Sequence, residues 1–155
     1  MKDRIKEVVK ETLKEIGYIC VEINVMFGKN NKKLKVVIHK KGRDISMNDC
    51  ADVSIVLRRK LDMLIPNFSQ NYDLIVESPG VNRRLKNLEE VEMFSDKEIE
   101  FNLKRDNNKT GKIIGKLKKI TKDKLEIMDE NNIIYNIKWD NVSSAKIYFD
   151  IKKYI

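Results

Sequence analysis

Apolar residues in this 155-residue chain keep two different rhythms, and the change between them limits the folds open to it. Before residue 80, helical spacing and strand alternation take turns; after residue 95, only strand alternation remains. Ile5, Val8, Val9, Leu13 and Ile16 mark one face of a helix, and Gly17 stops it. From Ile19 the period falls to two, with Ile19, Val21, Ile23, Val25 and Phe27 alternating with Cys20, Glu22, Asn24 and Met26. A polar turn from Gly28 to Lys32 leads into Leu34, Val36 and Ile38, which completes a hairpin. A second helix opens at Ser46, a natural N-cap to whose amide Asp49 can reach back, while Ile45 and Cys50 are spaced as a hydrophobic staple. Val53, Val56, Leu57, Leu61 and Leu64 carry its apolar stripe, and Pro66 ends it. Tyr72, Leu74 and Val76 supply a third strand. The order α-β-β-α-β predicts a three-stranded sheet with its helices covering one face.

Ser78-Pro79-Gly80 breaks the third strand. Proline and glycine there are expected to shape the chain's exit from the sheet. Residues 81–95 keep neither rhythm: Arg83, Arg84 and Lys86 precede Glu89, Glu90 and Glu92, the pattern of a charged linker. Beyond it lie Ile99, Phe101 and Leu103, a polar loop from Arg105 to Lys109, and the run from Gly111 to Ile120. Leu125 and Ile127, then Ile133, Tyr135 and Ile137, then Val142, Ala145 and Ile147 complete five short strands. So many strands in so few residues can bury an inner face only by curling into a small barrel. The expected fold is therefore α+β: an N-terminal domain over residues 1–80, a linker over 81–95 and a C-terminal β-barrel over 96–155.

The formal net charge is +8, shared equally between the residues before 81 and those after 95. A positive protein is drawn to polyanions, and nucleic acid is the commonest of these in the cytoplasm. No apolar run approaches the roughly 20 residues that a membrane helix needs, and the N-terminus lacks the apolar stretch of a secretory signal. A cytoplasmic protein without a membrane role is expected.

Catalytic patterns are missing. His39 is the sole histidine, placed at a strand end and expected to be exposed, so no Ser-His-Asp arrangement can be assembled. Cys20 and Cys50 occupy apolar positions and read as small buried hydrophobes; no metal or other cofactor is expected. The six glycines are scattered and form no phosphate loop, and Gly111 and Gly115 in a strand mark a bend or a close approach. A Gly-x-x-Gly clamp and an aromatic-rich strand are both lacking, so two common RNA-binding folds are excluded. Basic clusters lie at Lys29 to Lys35, Lys40 to Arg43, Arg58 to Lys60, and Lys116 to Lys119 with Lys122 and Lys124. Tyr18, Trp139 and Tyr148 could stack on bases, although packing suits each of them better. The candidate binding residues are Arg83, Arg84 and Lys86 in the linker and Lys116, Lys118 and Lys119 on the barrel. The linker arginines could grip phosphate or carboxylate in a bidentate fork, or brace one domain against the other.

The stretch from Tyr72 to Arg83 (YDLIVESPGVNR) resembles the signature of the bacterial RimP ribosome maturation factors. Glu77 stands where that family usually has a second serine, and Arg84 where it commonly has proline. Gly17-Tyr18 with Val21-Glu22, the run from Leu34 to Gly42, and Ile45-Ser46 through Leu61-Asp62 are similar to the family in order and spacing. Trp139-Asp140-Asn141-Val142 and Ala145-Lys146 resemble the close of its Sm-like barrel. The resemblance implies a non-catalytic assembly factor that binds the free small ribosomal subunit and a small-subunit ribosomal protein and assists late maturation; the positive charge makes rRNA the expected polyanion, and nothing in the sequence suggests more than a monomer. The alternative from another class is an Sm-like chaperone acting on free RNA.

Overall fold

In the computed structural model, which describes residues 2–106, 109–150 and 152, the two rhythms become two architectures. The chain divides into two compact units, residues 1–79 and 80–155. The side chains of residues 105, 106, 109 and 110 stand outside the description, as do residues 107 and 108 of the expected polar loop.

Helix α1 (Lys2–Glu15) buries Ile5, Val8, Val9 and Leu13 on one face. It closes with a Schellman turn, in which the Gly17 N–H donates to the Lys14 carbonyl at 3.2 Å and the Tyr18 N–H to the Leu13 carbonyl at 2.9 Å. Gly17 takes φ +85°, a conformation open to glycine at little cost. Strand β1 (Ile19–Phe27) then pairs antiparallel with β2 (Lys32–His39). Helix α2 (Met47–Leu64) and the short α3 (Phe68–Asn71) return the chain to β3 (Tyr72–Glu77), which joins β2 in parallel. The central strand β2 therefore has ladders on both sides. Leu34, Val36 and Ile38 of β2 are fully buried against Ile5, Val9 and Leu13 of α1 and Val53, Leu57 and Leu61 of α2. Burying each such side chain is worth roughly 1.5–3 kcal/mol.

Both halves of the expected capping box are present: the Asp49 N–H donates to Ser46 Oγ at 3.1 Å and the Ser46 N–H to Asp49 Oδ2 at 2.8 Å. Ile45 and Cys50 pack on the core as the staple requires. Several inward expectations need correction. Val56 is exposed, because it stands one residue, or 100°, from Leu57, which holds the core face. Leu64 is exposed at the end of α2, where Ile65 takes over the packing. Phe27, at the margin of the helical layer, is 72% exposed. His39, expected outside, is only 2% exposed, since it ends the central strand and pairs with Ile19.

Residues 81–95, expected to form a linker, are built into the second unit. The Ile147 N–H donates to the Arg83 carbonyl at 2.9 Å and the Leu85 N–H to the Ala145 carbonyl at 2.8 Å. Helix α4 (Leu88–Met93) follows, with the Glu90 N–H donating to Asn87 Oδ1 at 2.9 Å. Leu85, Val91 and Phe94 are buried. A six-residue helix is too short to display a 3.6 period, which is why the stretch reads as irregular.

Five strands come next: β4 (Ile99–Asp106), β5 (Lys109–Thr121), β6 (Lys124–Met128), β7 (Ile134–Lys138) and β8 (Val142–Ile147). They form one antiparallel sheet in the order β7-β6-β5-β4-β8. The 13-residue β5 pairs with β4 along its first half and with β6 along its second, so one long strand serves both halves of a barrel-like wrap. Ile99, Phe101, Leu117, Leu125, Ile127 and Ala145 are buried. A Cβ on Gly115 would collide with the Met128 carbonyl oxygen, so only glycine fits without a shift where these strands approach. Ile133, expected to face inward, precedes β7 and is exposed.

Candidate nucleic-acid interface

The lysines of β5 owe their arrangement to an irregularity in its ladder. Leu117 opposes the buried Ile127, and Ile120 opposes the buried Leu125. Strict alternation cannot put both residues 117 and 120 inside, because they differ by an odd number. A β-bulge resolves this: the register shifts between Leu117 and Lys119, so that Lys118 and Lys119 together occupy the space opposite Glu126. As a result Lys116, Lys118 and Lys119 are all exposed. Lys122 and Lys124 at the following turn, and Lys138 opposite Lys124 on β7, are exposed as well. Residues Glu98, Asp129 and Glu130 join Lys116 and Lys118 around a shallow cavity of about 260 Å³, so carboxylates border one flank of this rib.

The candidates of residues 83–86 separate from one another. The Arg83 side chain is largely buried and its Nη2 stands 3.3 Å from Glu90 Oε1, itself nearly covered. Arg83 thus ties the segment to α4 within the second unit. Arg84 is exposed and bridges Lys146 at the β8 edge; Lys86 is exposed. Strand order sets β4 and β8 between this segment and β5, so the two groups of candidates do not form one constellation.

Other charged clusters are committed to structure. Arg43 grips Asp49 with its two terminal guanidinium nitrogens, Nη1 and Nη2, at 2.7 and 2.9 Å, and the Tyr18 hydroxyl donates to the same carboxylate at 2.9 Å. Arg43, followed by the Ser46 amide, holds the Asp49 carboxyl far below the usual carboxylate range. Lys35 stands between Glu22 and Glu77, at 3.9 and 3.7 Å. Burial works against the Glu100 carboxylate, yet Lys146 and Lys112, at 3.4 and 3.5 Å, keep its pKa below the ordinary value. Burial pushes the Cys20 thiol up to about 11, which leaves it protonated and unreactive at neutral pH. Among the described residues, no three His, Cys, Asp or Glu side chains gather as a metal site. Among the described residues, too, no helix is long and apolar enough to cross a membrane.

A second basic end, at the Lys29 to Lys35 cluster, is not among the candidate binding residues read from the sequence. The exposed Phe27 ring has Lys2 Nζ 5.1 Å and Lys32 Nζ 5.6 Å from its centroid. Its place in the alternation with Ile23 and Val25 had marked it for the core. The lysine run that begins at Lys29 was the available signal. Tyr18, Trp139 and Tyr148 are half-buried, in keeping with packing roles. Compared with known families, residues 8–82 match the model described as the RimP N-terminal domain.

Proposed function

Because residues 8–82 match the N-terminal domain of the RimP ribosome maturation factors, we propose that the chain is such a factor, one that does no catalysis, binds the free small ribosomal subunit and assists its maturation. The observation that carries this reading is the RimP N-terminal domain at residues 8–82, continued in the same chain by a basic barrel-like unit. In this reading Lys116, Lys118 and Lys119 meet rRNA phosphates, and long-range attraction of the +8 chain to rRNA speeds encounter. A contact with a small-subunit ribosomal protein supplies selectivity. Arg84 and Lys86 can add phosphate contacts, whereas Arg83 acts through its hold on Glu90. The factor works in the cytoplasm as a monomer and needs no cofactor.

Co-sedimentation with separated small and large subunits at moderate salt tests this. The expected result is migration with free small subunits and not with large subunits or mature ribosomes. Equal association with every particle would reduce the interaction to unspecific charge and overturn the reading. Tight binding to naked RNA with no preference for the subunit would favour a free-RNA chaperone instead.

A further inference from the structure

The hairpin end of the N-terminal sheet differs in kind from the lysine rib on the barrel. There an aromatic ring lies in the open between ammonium groups. Phe27 closes β1 and pairs with Lys32 across the turn. Lys32 lies within reach of two rings at once, 5.6 Å from the centroid of Phe27 and 5.5 Å from that of Tyr72. Lys2 approaches Phe27 from the start of α1, at 5.1 Å. Lys29 and Lys33 on the same hairpin are exposed. The carboxylates in the neighbourhood are Asp3 beside Lys2 and Asp73, which pairs opposite Lys33 and accepts from Asn31 at 3.5 Å. Cations exceed anions by four to two among these side chains.

A phenylalanine ring offers no hydrogen bond, so it cannot read a base edge; what it offers is a flat apolar face. Lysines offer point charges suited to phosphate. A ligand that uses both must present a free π-face within a few ångströms of anionic groups. Single-stranded nucleic acid does so, whereas a duplex hides its bases in the stack and an acidic peptide has no need of the ring. We propose that this end of the sheet binds a single-stranded RNA segment, with one unpaired base stacking on Phe27 and the flanking phosphates meeting Lys2 and Lys32. The ammonium groups exchange the ring face for phosphate as the base arrives. This inference rests on the assembly-factor reading only for the choice of RNA as ligand, and it requires nothing of the barrel.

The test is fluorescence anisotropy of the full chain with a short unstructured RNA oligonucleotide. Phe27→Ala is expected to weaken binding by roughly 10- to 100-fold, in the range of one lost base–aromatic stack. Phe27→Leu keeps the apolar bulk without the π-face and should lose nearly as much, while Phe27→Trp should bind at least as well as the wild type. Lys2→Gln with Lys32→Gln should weaken binding and flatten its salt dependence. The same RNA annealed into a duplex should compete poorly. Wild-type affinity in both Phe27→Ala and Phe27→Leu would overturn the proposal, and so would competition by the duplex or by polyglutamate as strong as that of the single strand. Selective co-sedimentation of the wild type with small subunits, alongside Phe27-independent oligonucleotide binding, would sink this site alone. Phe27-dependent oligonucleotide binding without subunit selectivity would sink the assembly-factor reading alone.

Discussion

Asp49 holds three neighbours at once: the amide that starts α2, the guanidinium of Arg43 and the hydroxyl of Tyr18. Its folded pKa is depressed, so the unfolded chain binds its proton more readily than the folded one does. The stabilisation is therefore complete above the unfolded value of about 4 and fades as the pH falls below it. Melting temperatures of the wild type and Asp49→Asn, followed downward from neutral pH, should converge in acid. Ser46→Ala removes the cap together with the hydroxyl that donates to Asp49 Oδ2 at 2.9 Å, and should cost about 1 kcal/mol, read from urea unfolding. The cap was legible because its members lie within five residues of one another, from Ile45 to Cys50. The grip of Arg43 was not, since a run of Lys40, Lys41 and Arg43 looks like a solvated face until Asp49 is placed beside it. His39 and Phe27 show the same limit from the other side. Alternation tells which face a residue takes but not how far the covering layer extends.

At the scale of the element, the decisive feature is the bulge in β5. The period-two pattern revealed the strand and its length, and the two glycines hinted at close approach, which Gly115 fulfils against β6. The extra residue could not be read, because a bulge appears in sequence only as an alternation that loses its phase. Gly115→Ala should destabilise the second unit by about 1–3 kcal/mol, because backbone or Ile127 must shift to admit the methyl group. Replacing Lys116, Lys118 and Lys119 together with glutamine should leave thermal stability nearly unchanged. It should weaken small-subunit association and lower its salt slope by about one for each lysine that meets a phosphate. An unaltered slope in co-sedimentation across a salt series would remove the rib from the interface.

For the molecule as a whole, the α+β class followed from the change of rhythm near residue 80; the two compact units divide between residues 79 and 80. What lay beyond reading was the fate of residues 81–95, whose charges masked three buried apolar side chains. Phe94→Ala should cost the second unit about 3–5 kcal/mol in denaturant unfolding, as for a core aromatic. A neutral result would return that stretch to the status of a tether. The parallel meeting of β2 and β3 bears on how a newly made chain folds. Strands β1 and β2 share a tight turn and can zip within microseconds. Strand β3 cannot join until α2 and α3 have carried the chain back, so a central strand waits on residues some forty positions downstream. While Tyr72–Glu77 is still inside the ribosomal exit tunnel, β2 offers one unpaired edge and an uncompleted apolar face to its surroundings. For a nascent chain, that interval is the period of greatest exposure to aggregation and to chaperone capture.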